Sequence, residues 1–122
     1  MTPLILNVQT DRLTRPVLVQ TATTPLERSN GYRGKPEPAS DGEGILFLFP
    51  EPVQMPFTMV GVPFSLDIWW GDRDGRVFGG VRRMKPGVPG YFPQRPLSFA
   101  VELKAGWSER NGTPFAFTWQ RR

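Results

Sequence analysis

The sequence has 122 residues, of which 39% are hydrophobic and 21% charged, with a formal net charge of +4. Its 13 glycines and 14 prolines are about twice the usual share of a globular chain and point to short elements joined by many turns. Cysteine and histidine are both absent, which excludes disulfides, thiolate nucleophiles, zinc sites built on those residues and every catalytic triad that uses imidazole as its base.

A chain of this length is expected to form one domain over residues 1–122, with enough buried surface to fold without a metal or a disulfide. The first ten residues contain a short apolar stretch, Leu4-Ile5-Leu6, with no basic region before it and no small-residue cleavage pattern after it. They read as a first strand rather than a signal peptide. No window approaches 18 consecutive apolar residues, so a membrane span is not expected, and the chain reads as a soluble cytoplasmic protein.

Apolar and polar residues then alternate at period two in short runs bounded by Gly and Pro, the pattern of half-buried strands. Eight strands are expected, over residues 4–9, 17–22, 45–49, 57–60, 64–70, 76–80, 97–103 and 115–119. Thr24-Pro25-Leu26-Glu27 has the order of a capping box with proline at the first helical position, so a short helix is expected there, ending at Gly31. A second short helix is expected over residues 106–111, before Gly112 and Pro114. The resulting fold class is all-β with one or two short helices, as a compact antiparallel β-sandwich or a partly closed barrel. Residues 34–44 carry no large apolar side chain and read as a mobile loop, and residues 85–96, with four prolines, read as a crossing over a sheet edge.

Several constellations invite chemistry. Gly71-Asp72-Arg73-Asp74-Gly75 has the opening of a calcium loop, but Arg83 stands at the twelfth position, where a bidentate glutamate is required, so a hairpin turn is expected instead. The glycines match neither the dinucleotide nor the P-loop fingerprint, and no Ser-x-x-Lys spacing is present. Asn111-Gly112-Thr113 is a glycosylation triplet in a chain without a secretory signal. Arg73, Arg76, Arg82, Arg83, Lys85 and Arg95 form a basic stretch around a single acid, Asp74, and the chain ends on Arg121-Arg122. Asp67 and Glu102 each stand on the polar face of an otherwise apolar strand, where two acids brought together could exchange a proton or hold a cation. The alternative is that each is a hydrogen-bonded or ion-paired structural residue, with Arg28, Lys35 or Arg76 as the partner.

The segments Gly44-Ile45-Leu46-Phe47-Leu48-Phe49, Phe57-Thr58-Met59, Leu66-Asp67-Ile68, Asp74-Gly75-Arg76-Val77 and Val101-Glu102-Leu103-Lys104-Ala105-Gly106 resemble, in order and spacing, the domain of unknown function 192 family over residues 23–112. The resemblance implies a small, mostly β domain widespread in prokaryotes, without an assigned biochemical role. The chain departs from the family pattern at Thr58, where Trp is usual, and at Val60, Gly61 and Val62, where Lys, Asn and Thr are usual. Tyr32-Arg33 replaces Leu-Met, and Lys35 lies near the place of the family's arginine.

The expected function is a non-catalytic β-domain binding a small ligand, a carbohydrate or a protein partner. In that reading Trp69 and Trp107 stack on the ligand, Asp67 and Glu102 accept hydrogen bonds, Lys35 or Arg28 pairs with an anion, and Met59 completes the set. The alternatives are a hydrolase or lyase with Asp67 and Glu102 as acid and base, and weak nucleic-acid binding by the basic hairpin. No cofactor and no metal are expected, and the chain is expected to be a monomer or weak dimer.

Overall fold

The computed structural model describes residues 1–120; the terminal pair Arg121-Arg122 lies outside them. Seven strands form one sheet: β1 (Thr2–Thr10), β2 (Thr14–Ala22), β3 (Glu43–Val53), β4 (Leu66–Gly71), β5 (Val77–Met84), β6 (Leu97–Lys104) and β7 (Pro114–Thr118). Their order is β5-β4-β6-β3-β2-β1-β7. The two edge strands approach each other where Arg76 bridges Ala116 and the Phe117 amide donates to the Gly75 carbonyl, so the sheet curls into a nearly closed barrel. Every pairing is antiparallel except β2 with β3, which are joined through α1 (Pro25–Asn30) and the loop after it. A connection of that length is what a parallel pair requires.

Each helix forms for a local reason. Thr24 accepts from the Glu27 amide while the Glu27 carboxylate accepts from the Thr24 amide, and Gly31 closes α1 at φ +48°. At α2 (Trp107–Asn111), Gly106 takes φ +84° before the first turn and Gly112 follows the last.

The segment expected as a strand over residues 57–60 is a single bridge, Phe57 to Tyr91. Thr58 Oγ1 accepts from the Val60 amide and Gly61 lies at φ +81°, so the chain turns before a ladder can extend. The loop of residues 34–44, expected to be mobile, is tied down. Asp41 takes both Nε and Nη2 of Arg110 at 2.7–3.1 Å, its carbonyl accepts from Trp107 Nε1, and Pro38 accepts from Lys104 Nζ. Composition does not reveal such anchoring, because it depends on a carboxylate meeting an arginine 69 residues away.

Two apolar clusters lie on opposite faces of the sheet. The first fills the barrel with Leu6, Val8, Val17, Val19, Leu46, Trp69, Phe99, Val101, Leu103 and Phe117, and Trp107 of α2 inserts into it. The second coats the outer face of β3, β6 and β4, where Ile45, Phe47, Ile68, Trp70 and Ala100 pack under α1 and the loops carrying Phe57, Met59 and Val62. The central strands are therefore buried on both sides, which explains why β4 has no exposed residue.

Candidate functional site

The β4–β6 register decides which acids can meet. Ile68 pairs with Glu102 and Asp67 with Leu103, so Glu102 shares the outer face with Ile68 while Asp67 shares the inner face with Trp69. The expected partnership of Asp67 and Glu102 as acid and base is thereby corrected: the sheet stands between them.

Asp67 is fully buried at the α2 end of the barrel. Its Oδ1 accepts from the amides of Arg83 at 2.8 Å and Gly106 at 3.2 Å. Arg83 takes φ +52° at an irregularity of the β4–β5 pairing, which turns its amide toward the acid. Desolvation raises the Asp67 pKa above its ordinary value, and the amides of Arg83, Gly106 and Ser108 oppose the shift. Its Oδ2, Ser108 Oγ and Trp69 Nε1 have no partner among the described residues. Asp67 thus joins an edge strand to a helix start.

Glu102 lies on the other face, 5% exposed, and no hydrogen bond or ion pair to it is found among the described residues. Its carboxyl lines a cavity of about 340 Å³ under α1, together with Gly31, Tyr32, Phe47, Phe49 and Phe57. Gly31 is what lets the acid reach that space, since a Cβ there would lie 3.1 Å from the Phe47 ring and 3.4 Å from Glu102 Oε1. Phe57 meets Phe47 and Phe49 edge-on, with ring centroids 6.0 and 6.4 Å apart. In this apolar wall desolvation pushes the Glu102 pKa up to about 8, so the group is mostly protonated at neutral pH. Burial, then the neighbouring Glu102 and Glu43, push the Tyr32 phenol above its ordinary value.

Arg28 is the positive group of the cavity lining. Its Nη1 donates to the Thr23 and Leu48 carbonyls, and its guanidinium carbon stands 5.1 Å from the Phe49 ring centroid. Lys35 is near, but its Nζ donates to the Gly31 carbonyl at 2.7 Å.

Of the residues singled out in the sequence, the cavity therefore brings together Glu102 and Arg28, with Lys35 bonded to its rim. Met59 is fully buried in the outer cluster and does not line the cavity. The stacking role expected of Trp69 and Trp107 is corrected, because both belong to the barrel interior on the face away from Glu102, 6% and 0% exposed, and Trp107 Nε1 is spent on the Asp41 carbonyl. Sequence reasoning missed Tyr32, Phe47, Phe49 and Phe57 as lining residues. The signal was present in the motifs around Phe47 and Phe57, but aromatic residues in strands read first as core.

A larger recess of about 820 Å³ lies at the barrel end near Phe99 and Trp119. Its charged lining residues are exposed or half-exposed, and Asp72 already accepts from the Asp74 and Arg76 amides through Oδ1, which shapes the hairpin turn expected there. It contains no buried charge, and the Glu102 cavity is the better candidate although it is smaller. The basic stretch is spread over internal contacts: Arg82 donates to Thr113, Arg83 pairs with Glu109, and Arg95 covers the Phe78 ring. Among the described residues no helix is long and apolar enough to cross a membrane.

Comparison with known proteins places the chain in a group known by its sequence and fold. The DUF192 profile, described as an uncharacterized ACR, matches residues 6–114. No functionally curated protein matches the sequence. Two crystal structures share the fold. One, from Sinorhizobium meliloti 1021, carries a description that suggests a transcription regulator; it is 21% identical with a TM-score of 0.88, over 96% of this chain and 93% of that one. The other, a protein of unknown function from Novosphingobium aromaticivorans DSM 12444, is 23% identical with a TM-score of 0.89, over 96% of this chain and 85% of that one.

Proposed function

The chain belongs to the DUF192 family, and on that premise we propose that it is a binding domain that takes a small organic molecule into the Glu102 cavity. The observation that carries this reading is a buried acid with no protein partner facing an aromatic-lined space. A carboxyl group in an apolar wall costs several kcal/mol as an anion, and with no protein partner its oxygens are left facing the cavity. A fold that keeps such a group at the inner end of a cavity gains specificity for a molecule that answers it. The volume of about 340 Å³ is at the small end of the range for ligand pockets.

In this reading Phe47, Phe49 and Phe57 supply most of the contact area, and protonated Glu102 supplies the direction of approach by donating to an acceptor on the ligand. Tyr32 closes the wall beside the acid.

The test is a fragment library screened against the full chain by amide chemical-shift mapping. A binder is expected to move the signals of Phe47, Phe57 and Glu102 together and leave Leu6 and Val17 of the barrel interior in place. Glu102→Leu fills the acid's position with an apolar group, so it should lower the affinity of acceptor-bearing fragments about tenfold or more while the protein stays folded. A library whose binders all map elsewhere contradicts the proposal.

A further inference from the structure

We propose that the ligand of the Glu102 cavity is a small organic anion with a flat apolar body and a hydrogen-bond acceptor at its far end, its anionic group held by Arg28 and its acceptor by the Glu102 carboxyl. The inference rests on the cavity being a binding site and adds to that reading the charge and polarity of what enters it.

Arg28 is a preset guanidinium. Two backbone carbonyls take its Nη1 and its Cζ stands over the Phe49 ring, so it is held at the wall by neutral partners. No ion pair among the described residues includes it. A guanidinium has five N–H donors in a rigid fork, and a carboxylate is the partner that two of them match at once.

Charge balance points the same way. Glu102 is the single acid of the lining and Arg28 the single base. With Glu102 protonated near neutrality, the lining carries net positive charge. An anion is attracted to such a wall. An organic ammonium is repelled by Arg28 and finds an anionic partner only once Glu102 has lost its proton to solvent.

Spacing sets the length of the ligand. Arg28 bonds the carbonyl of Leu48, three residues along β3 from Ile45, and Ile45 is the residue paired with Glu102. Three strand residues span about 10 Å. Phe47 lies on β3 between the two ends and Phe57 packs edge-on against it. A single aromatic ring with one polar group at each end fits that arrangement.

The probes are 4-acetamidobenzoate, benzoate, acetanilide and benzylamine, titrated into the full chain by amide chemical shifts. The acetamidobenzoate, which carries both polar ends, should bind about tenfold tighter than benzoate or acetanilide, with benzylamine weakest. Arg28→Gln should weaken both carboxylates about tenfold and leave acetanilide unchanged, and Arg28→Lys should restore part of the loss. Benzylamine binding as tightly as benzoate, or benzoate unaffected by R28Q, overturns the charge assignment and leaves the cavity as a binding site. If none of the four probes moves Phe47, Phe57 or Glu102, the cavity reading fails and the assignment with it. Should R28Q unfold, benzoate against benzylamine on the native chain decides alone.

Discussion

The two faces of β4 and β6 bury one carboxylate each and treat them in opposite ways. Inside the barrel, Asp67 gathers the amides of Arg83 and Gly106, so the acid is part of how the edge strand and α2 are held. Outside, Glu102 is as deeply buried but lies beside a cavity, with its polar atoms offered to that space rather than to backbone. The same residue class, one register position apart across adjacent strands, acts as a structural joint on one face and as a group without a protein partner on the other. Burial alone therefore does not mark a site; burial without a protein partner, next to a space, is the ground on which the Glu102 cavity is proposed as one.

Removing each acid should separate these roles, and the largest effect belongs to Asp67. Asp67→Ala leaves two buried amides without an acceptor, and urea denaturation should show a loss of about 3 kcal/mol or more. Asp67→Asn keeps one acceptor oxygen and should lose roughly half as much. A neutral result for Asp67→Ala would erase the distinction drawn between the two faces.

Glu102 should behave in the opposite sense. Its pKa is near 8 in the folded chain against an ordinary 4.5, so the folded state holds a proton that the unfolded state has released between those values. Stability contributed by this group is therefore full below about pH 4.5, declines as pH rises toward 8 and levels off above it. At about 1.4 kcal/mol per pH unit the decline amounts to several kcal/mol. Glu102→Gln removes the titration, so the variant should match the parent near pH 5 and be more stable than it by about 2–4 kcal/mol at pH 9. Equal pH dependence of the two proteins in denaturant melts would contradict an unpaired acid.

A smaller effect is expected at Gly31. Gly31→Ala places a methyl group 3.1 Å from Phe47 at a positive φ, and should cost about 1–2 kcal/mol in thermal stability while narrowing the cavity. The smallest belongs to α1: Thr24→Ala removes the acceptor of the Glu27 amide and should cost about 1 kcal/mol, with the inner face untouched.

How much of this was legible in the sequence differs between the faces. The capping box at Thr24, the helix stop at Gly31 and the turn at Asp74-Gly75 follow from local chemistry, and the structure places each where the residues call for it. Strand alternation also separated Asp67 from Ile68 and Glu102 from Leu103 within their own strands. It could not place the two strands against each other, and that register alone sends Asp67 inward and Glu102 outward. Trp69 and Trp107 misled for a related reason: a large aromatic beside an acid suits a ligand platform or a core equally well, and only topology decides. Arg28 and Glu102 were visible as single residues. Their common cavity depends on α1 folding back over β3 and β6, a long-range contact without a local signature.

The contrast between the two carboxylates rests most directly on the state of one proton. A side-chain carboxyl titration by carbon-detected NMR on the full chain follows each glutamate separately. The Glu102 resonance is expected to move with a midpoint near 8 in any buffer that leaves the fold intact. A Glu102 midpoint near the ordinary 4.5 would mean that the acid is solvated or paired, and the difference between the two faces would be gone.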